Sequence, residues 1–242
     1  MHPRADHSNP GERNEAHPVC QHPQMQPLSF TLTRSPDRLT PAVQAACLRI
    51  SAATGPFFVD RSPMPGGLIN KCTFNVKQFL EANPGEMVLG WEVCVWDGVL
   101  LDCIGHAVVK HHDQYRCVTP SRYADAKLLF LPDPSLAFDF ADPMARMPAI
   151  QVALSTRPEV RRLIEVEDTE RRIKIAYPVA SGQIVVQGED AVRLQHLARE
   201  KQRLMLKVVL ATSDHRTPCP CGSGKKLRKC HRTDIERTLQ LL

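Results

Sequence analysis

The sequence predicts an α+β protein: an antiparallel sheet with packed helices, a disordered N-terminal tail and a small C-terminal module. Three observations carry this. Two β-rich runs, Glu86–Trp96 and Val99–Val109, flank Asp97-Gly98, a pair that favours a tight hairpin. Apolar residues recur at helical spacing on both sides of them, at Val43, Ala46, Cys47 and Ile50 and again at Leu194, Leu197, Leu204 and Val208. Cysteine, histidine, glycine and basic residues crowd together near the C-terminus.

Residues 1–40 are rich in proline and lack apolar periodicity, so they read as a disordered tail. Their four histidines (His2, His7, His17, His22) are too scattered for a metal site. A core domain is expected over residues 41–150. It opens on a helix with Thr40 as N-cap and Pro41 at the first helical position. Residues 55–67 read as a loop. A second helix starts at Cys72, carries Val76, Phe79 and Leu80 on one face, and ends near Asn83-Pro84-Gly85. The hairpin follows, then strands at Tyr115–Val118 and Leu128–Leu131. Residues 151–211 read as two helices, 156–177 and 189–210, packed on the core, with Lys201 interrupting the second apolar stripe. A short linker leads to the module at 213–242.

A two-residue Asp97-Gly98 loop sets the hairpin register: Trp96 opposes Val99 and Leu89 opposes His106. Met87, Leu89, Trp91, Val93 and Val95 then share a face with Leu100, Ile104, His106 and Val108. Both faces are mostly apolar, as in a sheet covered on two sides. Trp91, Trp96, Cys94 and Cys103 read as core residues.

The chain has 242 residues, 43% of them hydrophobic, which excludes a wholly disordered protein. No apolar run is long enough to span a membrane. The polar start MHPRADHSNP has no secretory apolar core, so the expected location is the cytoplasm. In that reducing compartment the nine cysteines read as packing residues, metal ligands or a nucleophile. Residues 216–237 hold seven Lys/Arg and two acids. That stretch therefore carries the entire net charge of +5, and an acidic partner would be sought there.

Within it, TPCPCGSGKKLRKCHR places Cys219, Cys221, Cys230 and His231 inside 13 residues. Three thiolates and one imidazole make a tetrahedral zinc set with no position left for water, which points to a structural site. Gly222 and Gly224 let the chain turn back on the metal. The stretch CPCGSGKKLRKCH resembles the SEC-C motif, the zinc tail of the bacterial preprotein-translocase ATPase and of many other bacterial proteins. Leu227 departs from it, standing where an aromatic residue is common. The resemblance implies a small docking device whose partners include export chaperones and ribosomes. Between Arg216 and Arg237 there is no aromatic residue for base stacking, which makes nucleic acid the weaker expectation.

The body holds a second set of candidates. Cys72 at a helix start gains thiolate stabilisation from the helix dipole, and His106 on a following strand would complete a nucleophile–base pair. Helix Cys, strand His and a polar orienter on the next strand resemble papain-like and transglutaminase-like cores. Cys72-Thr73-Phe74-Asn75, Gly90-Trp91, His106-Ala107 and Val118-Thr119-Pro120 also resemble a group of uncharacterised bacterial proteins with the pattern C-x-x-N, GW, H-A-V and D-x-T-P. Cys117 stands where that pattern has the aspartate, and a thiol cannot orient an imidazolium as a carboxylate does. Asp102, Asp113 and Asn75 are the substitutes in view; Asp102 lies four strand residues from His106, roughly 13 Å. His111-His112-Asp113 reads as a polar turn.

The expectation is thus a zinc-binding adaptor whose tail docks to a protein. The alternatives are a cysteine hydrolase or acyl transferase using Cys72 and His106, and a basic zinc module contacting nucleic acid or the ribosome.

Overall fold

The computed structural model describes residues 28–242 except 29, 53, 122, 124, 181 and 182. Helix α1 is Pro41–Ile50, capped by Thr40, whose Oγ1 accepts from Val43 N at 3.3 Å. Strand β1 (Phe57–Arg61) lies inside the stretch expected to be a loop. Its five residues are too few to show a period, and its neighbours supply the pairing. Helix α2 is Cys72–Leu80. Strands β2 (Glu86–Trp96) and β3 (Leu100–His111) form the hairpin, followed by β4 (Gln114–Cys117), β5 (Lys127–Pro132) and β6 (Ala149–Ala153).

The sheet is mixed rather than purely antiparallel, because β1 runs parallel to β4. β2 pairs with β5, β5 with β1, β1 with β4, β4 with β3, and β3 with β2. Five strands therefore close on themselves as a small barrel, leaving none of the five as a free edge. β6 extends it along the far half of β3. Closure is tight at Gly90, where a Cβ would sit 2.6 Å from the Phe130 ring.

The hairpin register differs by one residue from the sequence expectation. Trp96 opposes Leu100, and His106 opposes Gly90. The loop has three residues, because Val99 is drawn out of the ladder. Its side chain is fully buried among Leu100, Val160, Leu163 and Val208, and its carbonyl accepts from Leu154 N (2.9 Å) and Ser155 N (3.1 Å). Only Gly98 has positive φ, at 67°, so the two-residue turn with both residues left-handed does not form. A one-residue slip exchanges the faces. Trp91, Val93 and Val95 share their face with Leu101 and Cys103 and pack on α1; Met87 and Leu89 share it with Ala107 and Val109 and pack on α2. His106 lies on the opposite face, inside the barrel with Val59, Val108, Cys117, Leu128 and Phe130.

Helices α3 (Pro158–Ile175) and α4 (Gly188–Thr212) pair and cover Val99 and Leu100 with Val160, Leu163, Val166, Leu204 and Val208. A short hairpin, β7 (Val179–Ala180) and β8 (Gln183–Ile184), joins them. Lys201 interrupts the apolar stripe because it answers α3, with Nζ 3.3 Å from Glu167 and 3.1 Å from Glu170. Beyond α4 come a 3₁₀ turn, Leu227–Lys229, and α5 (Arg232–Leu241).

The C-terminal module is packed rather than tethered. Leu227 and Ile235 are buried against Leu206 and Val209 of α4, with Leu28, Phe30 and Leu32 over them. This N-terminal strap is pinned at both ends: Thr31 N donates to Pro220 O (3.0 Å), and Val95 N donates to Arg34 O (2.8 Å). The chain is thus packed from Leu28, ahead of the boundary near residue 40 read from the sequence. Residues 1–27 of the expected disordered tail, with His2, His7, His17 and His22, lie outside the described residues.

Candidate functional site

The C-terminal cluster is built by a short antiparallel turn. Cys219 N donates to Lys225 O (2.7 Å) and Leu227 N to Thr217 O (2.9 Å), which folds the chain back between the first two cysteines and the last. Gly222 and Gly224, at φ 79° and 72°, occupy left-handed positions that residues with a Cβ resist. The 3₁₀ turn then delivers Cys230 and His231 at the start of α5.

The ligand atoms of Cys219, Cys221, Cys230 and His231 all lie within 4.8 Å of one another. His231 Nδ1 is 3.2 Å from both Cys219 Sγ and Cys230 Sγ, and Cys221 Sγ is 3.7 Å from Cys230 Sγ. About 3.7 Å is the edge of a tetrahedron with metal–sulfur bonds of about 2.3 Å, so the residues fit a zinc-type ion. Sequence reasoning found all four but missed Ser223, whose Oγ lies 3.2 Å from Cys221 Sγ and 3.5 Å from Cys230 Sγ. Hydrogen bonds from Ser223 draw the half-buried Cys221 thiol down to about 6, while burial pushes Cys219 up to about 12. Phe30 of the strap meets the His231 ring edge-on at 5.8 Å. Lys225, Lys226, Arg228, Lys229 and Arg232 stand exposed around the site.

In the body, the weak motifs converge. Cys72 starts α2 as expected and is buried with Val76, Ala107, Val109 and Val118. Asn75 ties its loop to the strand end, donating to Leu68 O (2.7 Å) and Thr119 Oγ1 (3.2 Å) and accepting from Leu68 N (3.0 Å). The histidine and the thiol at its side are a different pair from the one the sequence suggests. His106 Nε2 lies 3.2 Å from Cys117 Sγ, and its Nδ1 lies 3.4 Å from Glu92 Oε2. Arg61 joins both ends, donating from Nη1 to Cys117 Sγ (3.4 Å) and from Nη2 to the Glu92 carboxylate. The register explains the choice of partner, since Ala107 rather than His106 faces α2.

Neither thiol is activated. Burial pushes Cys72 up to about 11, outweighing hydrogen bonds at the Ala107 and Thr73 backbones, and burial raises Cys117 as well. Burial also lowers His106 to about 4, so the ring is neutral at pH 7. The substitutes considered for the orienter sit elsewhere: Asp102 accepts from Gln151, and Asp113 lies in the His111–Gln114 turn. Glu92, which sequence reasoning did not single out, is the carboxylate beside the imidazole. Cys94 and Cys103 are buried as expected, and Trp91 is a core residue donating to Asp133 Oδ2 at 2.9 Å. Trp96 is half-buried. The His111 and His112 rings lie 4.1 Å apart, tilted by 40°, and join no metal-type cluster among the described residues.

Residues 217–232 match the SEC-C motif family, and the Cys/His cluster they carry could hold a metal ion such as zinc. No curated protein and no solved structure matches the chain. Among the described residues no helix is long and apolar enough to cross a membrane.

Proposed function

We propose that the chain is a cytoplasmic zinc-binding adaptor that docks on an acidic surface of a partner protein through its SEC-C module. The observation that carries this is the module itself. Four ligands close the coordination sphere and five exposed cations surround it. Cys219, Cys221, Cys230 and His231 would hold the zinc, which supplies a cross-link between the turn and α5 rather than a reactive water. The body is then a rigid scaffold beneath this surface. The five described cysteines of the body (Cys47, Cys72, Cys94, Cys103 and Cys117) are free thiols, in keeping with a reducing compartment.

Metal analysis tests the first half: wild type should carry one zinc per chain and Cys219→Ser close to none, and equal contents would end the reading. Cross-linking in cells tests the second. A protein joined to wild type should be lost both in Cys219→Ser and in Lys225→Glu/Lys226→Glu/Arg228→Glu. Salt-sensitive retention of nucleic acid in place of a protein would favour a ribosomal or nucleic-acid contact.

A second reading, a cysteine hydrolase or acyl transferase with Cys72 as nucleophile and His106 as base, draws on the start of α2 at Cys72 and on the Asn75–Thr119 hydrogen bond beside it. It requires selective alkylation of Cys72 near pH 6 that His106→Ala abolishes; an inert Cys72 leaves the adaptor alone.

A further inference from the structure

A cavity of about 170 Å³ opens between the strap, the β2–β3 hairpin and the α3–α4 pair. A water needs roughly 10–15 Å³ by this measure, so the space admits a ligand of several heavy atoms. Three aromatic rings line it: Phe30, Trp96 and Tyr123. Among the described residues, the charged ones lining it are the two acids Asp102 and Glu167. Gln151 links the two carboxylates, donating from Nε2 to Asp102 Oδ1 (3.4 Å) and Glu167 Oε2 (3.2 Å).

The two acids are not equivalent. Glu167 is answered by Lys201 at 3.3 Å. Asp102 makes no ion pair among the described residues; burial, followed by the neighbouring Glu167, raises its carboxyl above the ordinary range, outweighing the Gln151 hydrogen bond and the more distant charges of Arg171 and Lys201 that pull it down. A cation entering the cavity would relieve that cost. An anion would add to it, and a purely apolar ligand would leave the carboxylate desolvated without a partner. Aromatic faces beside an acid are the environment in which alkylated ammonium groups are held.

We propose that this cavity binds a small organic cation, its ammonium head against Asp102 and its apolar body against Trp96, Phe30 and Tyr123. The site is separate from the metal centre and is independent of the adaptor reading. The strap connects the two physically, since Phe30 lines the cavity and also touches His231.

Tryptophan fluorescence of the full, zinc-loaded chain tests this. Of its two tryptophans, Trp96 lines the cavity, whereas Trp91 is 4% exposed in the core. Titration with choline should give a saturable change that Trp96→Phe abolishes. Its neutral carbon isostere, 3,3-dimethyl-1-butanol, should bind at least roughly tenfold more weakly, and Asp102→Asn should weaken choline by a similar factor. No saturable change up to about 50 mM choline, or equal affinity for choline and its isostere, would overturn the proposal. The comparison of choline with the isostere uses unaltered protein, so it decides the matter even if Asp102→Asn fails to fold.

Discussion

Two places among the described residues bring a cysteine sulfur to 3.2 Å from a histidine nitrogen, and they are built for opposite ends. At His231 the imidazole faces two sulfurs, a third sulfur stands beside them, and no cation competes for the lone pairs. At His106 the ring is held between Cys117 and Glu92, and Arg61 occupies the remaining valence of both. The first arrangement gathers four donors that could share one metal ion. The second brings its own positive centre and is closed inside a barrel. Distance alone does not make a site; the charge left unbalanced around the pair decides what it can bind.

The sharpest way to break this contrast is to remove the internal cation. Arg61→Ala leaves Glu92 without its buried partner, and its cost should be about 3–5 kcal/mol in urea unfolding. A cost under about 1 kcal/mol would mean the barrel cluster behaves as a surface ion pair.

A somewhat smaller effect should follow from pH. His106 is held near 4 when folded, against 6.5 for the ordinary group. Between those values the unfolded chain binds the proton and the folded chain does not, so stability rises with pH across the window. It should fall by roughly 3 kcal/mol as pH drops from about 6.5 to 4. His106→Gln should flatten that slope, as urea midpoints at several pH values would show; an unchanged slope would assign it to other groups.

The smallest of the three concerns the strap. Deleting residues 28–38 uncovers Leu227 and Ile235 and removes the partly buried Leu28, Phe30 and Leu32. The loss should be about 2–3 kcal/mol and should come with weaker zinc retention against a chelator, because Phe30 backs His231. Unchanged zinc release would show that the module holds its metal without help from the strap.

The candidate metal ligands were legible because they are local. Cys219 to His231 span 13 residues, and glycine at two left-handed positions is a chemical requirement visible in the letters. The N-cap at Thr40, the helix start at Cys72 and the hairpin pair around Asp97-Gly98 were legible for the same reason: each depends on a few adjacent residues. The short strand β1 gave no signal, since Phe57–Arg61 acquires its conformation from β4 and β5.

The body cluster was only half legible. Asn75 meets Thr119 and His106 meets Cys117, whereas Cys72 packs on the other face of the strand with Ala107. Which of them touch was set by one residue of register, and that was set by Val99, held out of the ladder by α3, α4 and the backbone of Leu154 and Ser155. Because alternate strand residues face opposite sides, this single displacement turns His106 from Cys72 towards Glu92 and Cys117.

By itself, then, the sequence determined the α+β composition, the Cys/His turn that could hold a metal and the neutral body with a basic end. Those features are sums or short-range patterns along the chain. Tertiary structure alone decided the closure of the barrel, the pairing of Arg61 with Glu92, the docking of the strap on the module and the partner of His106. Each of these joins residues far apart in the chain, and each is fixed by packing energy that no local pattern encodes.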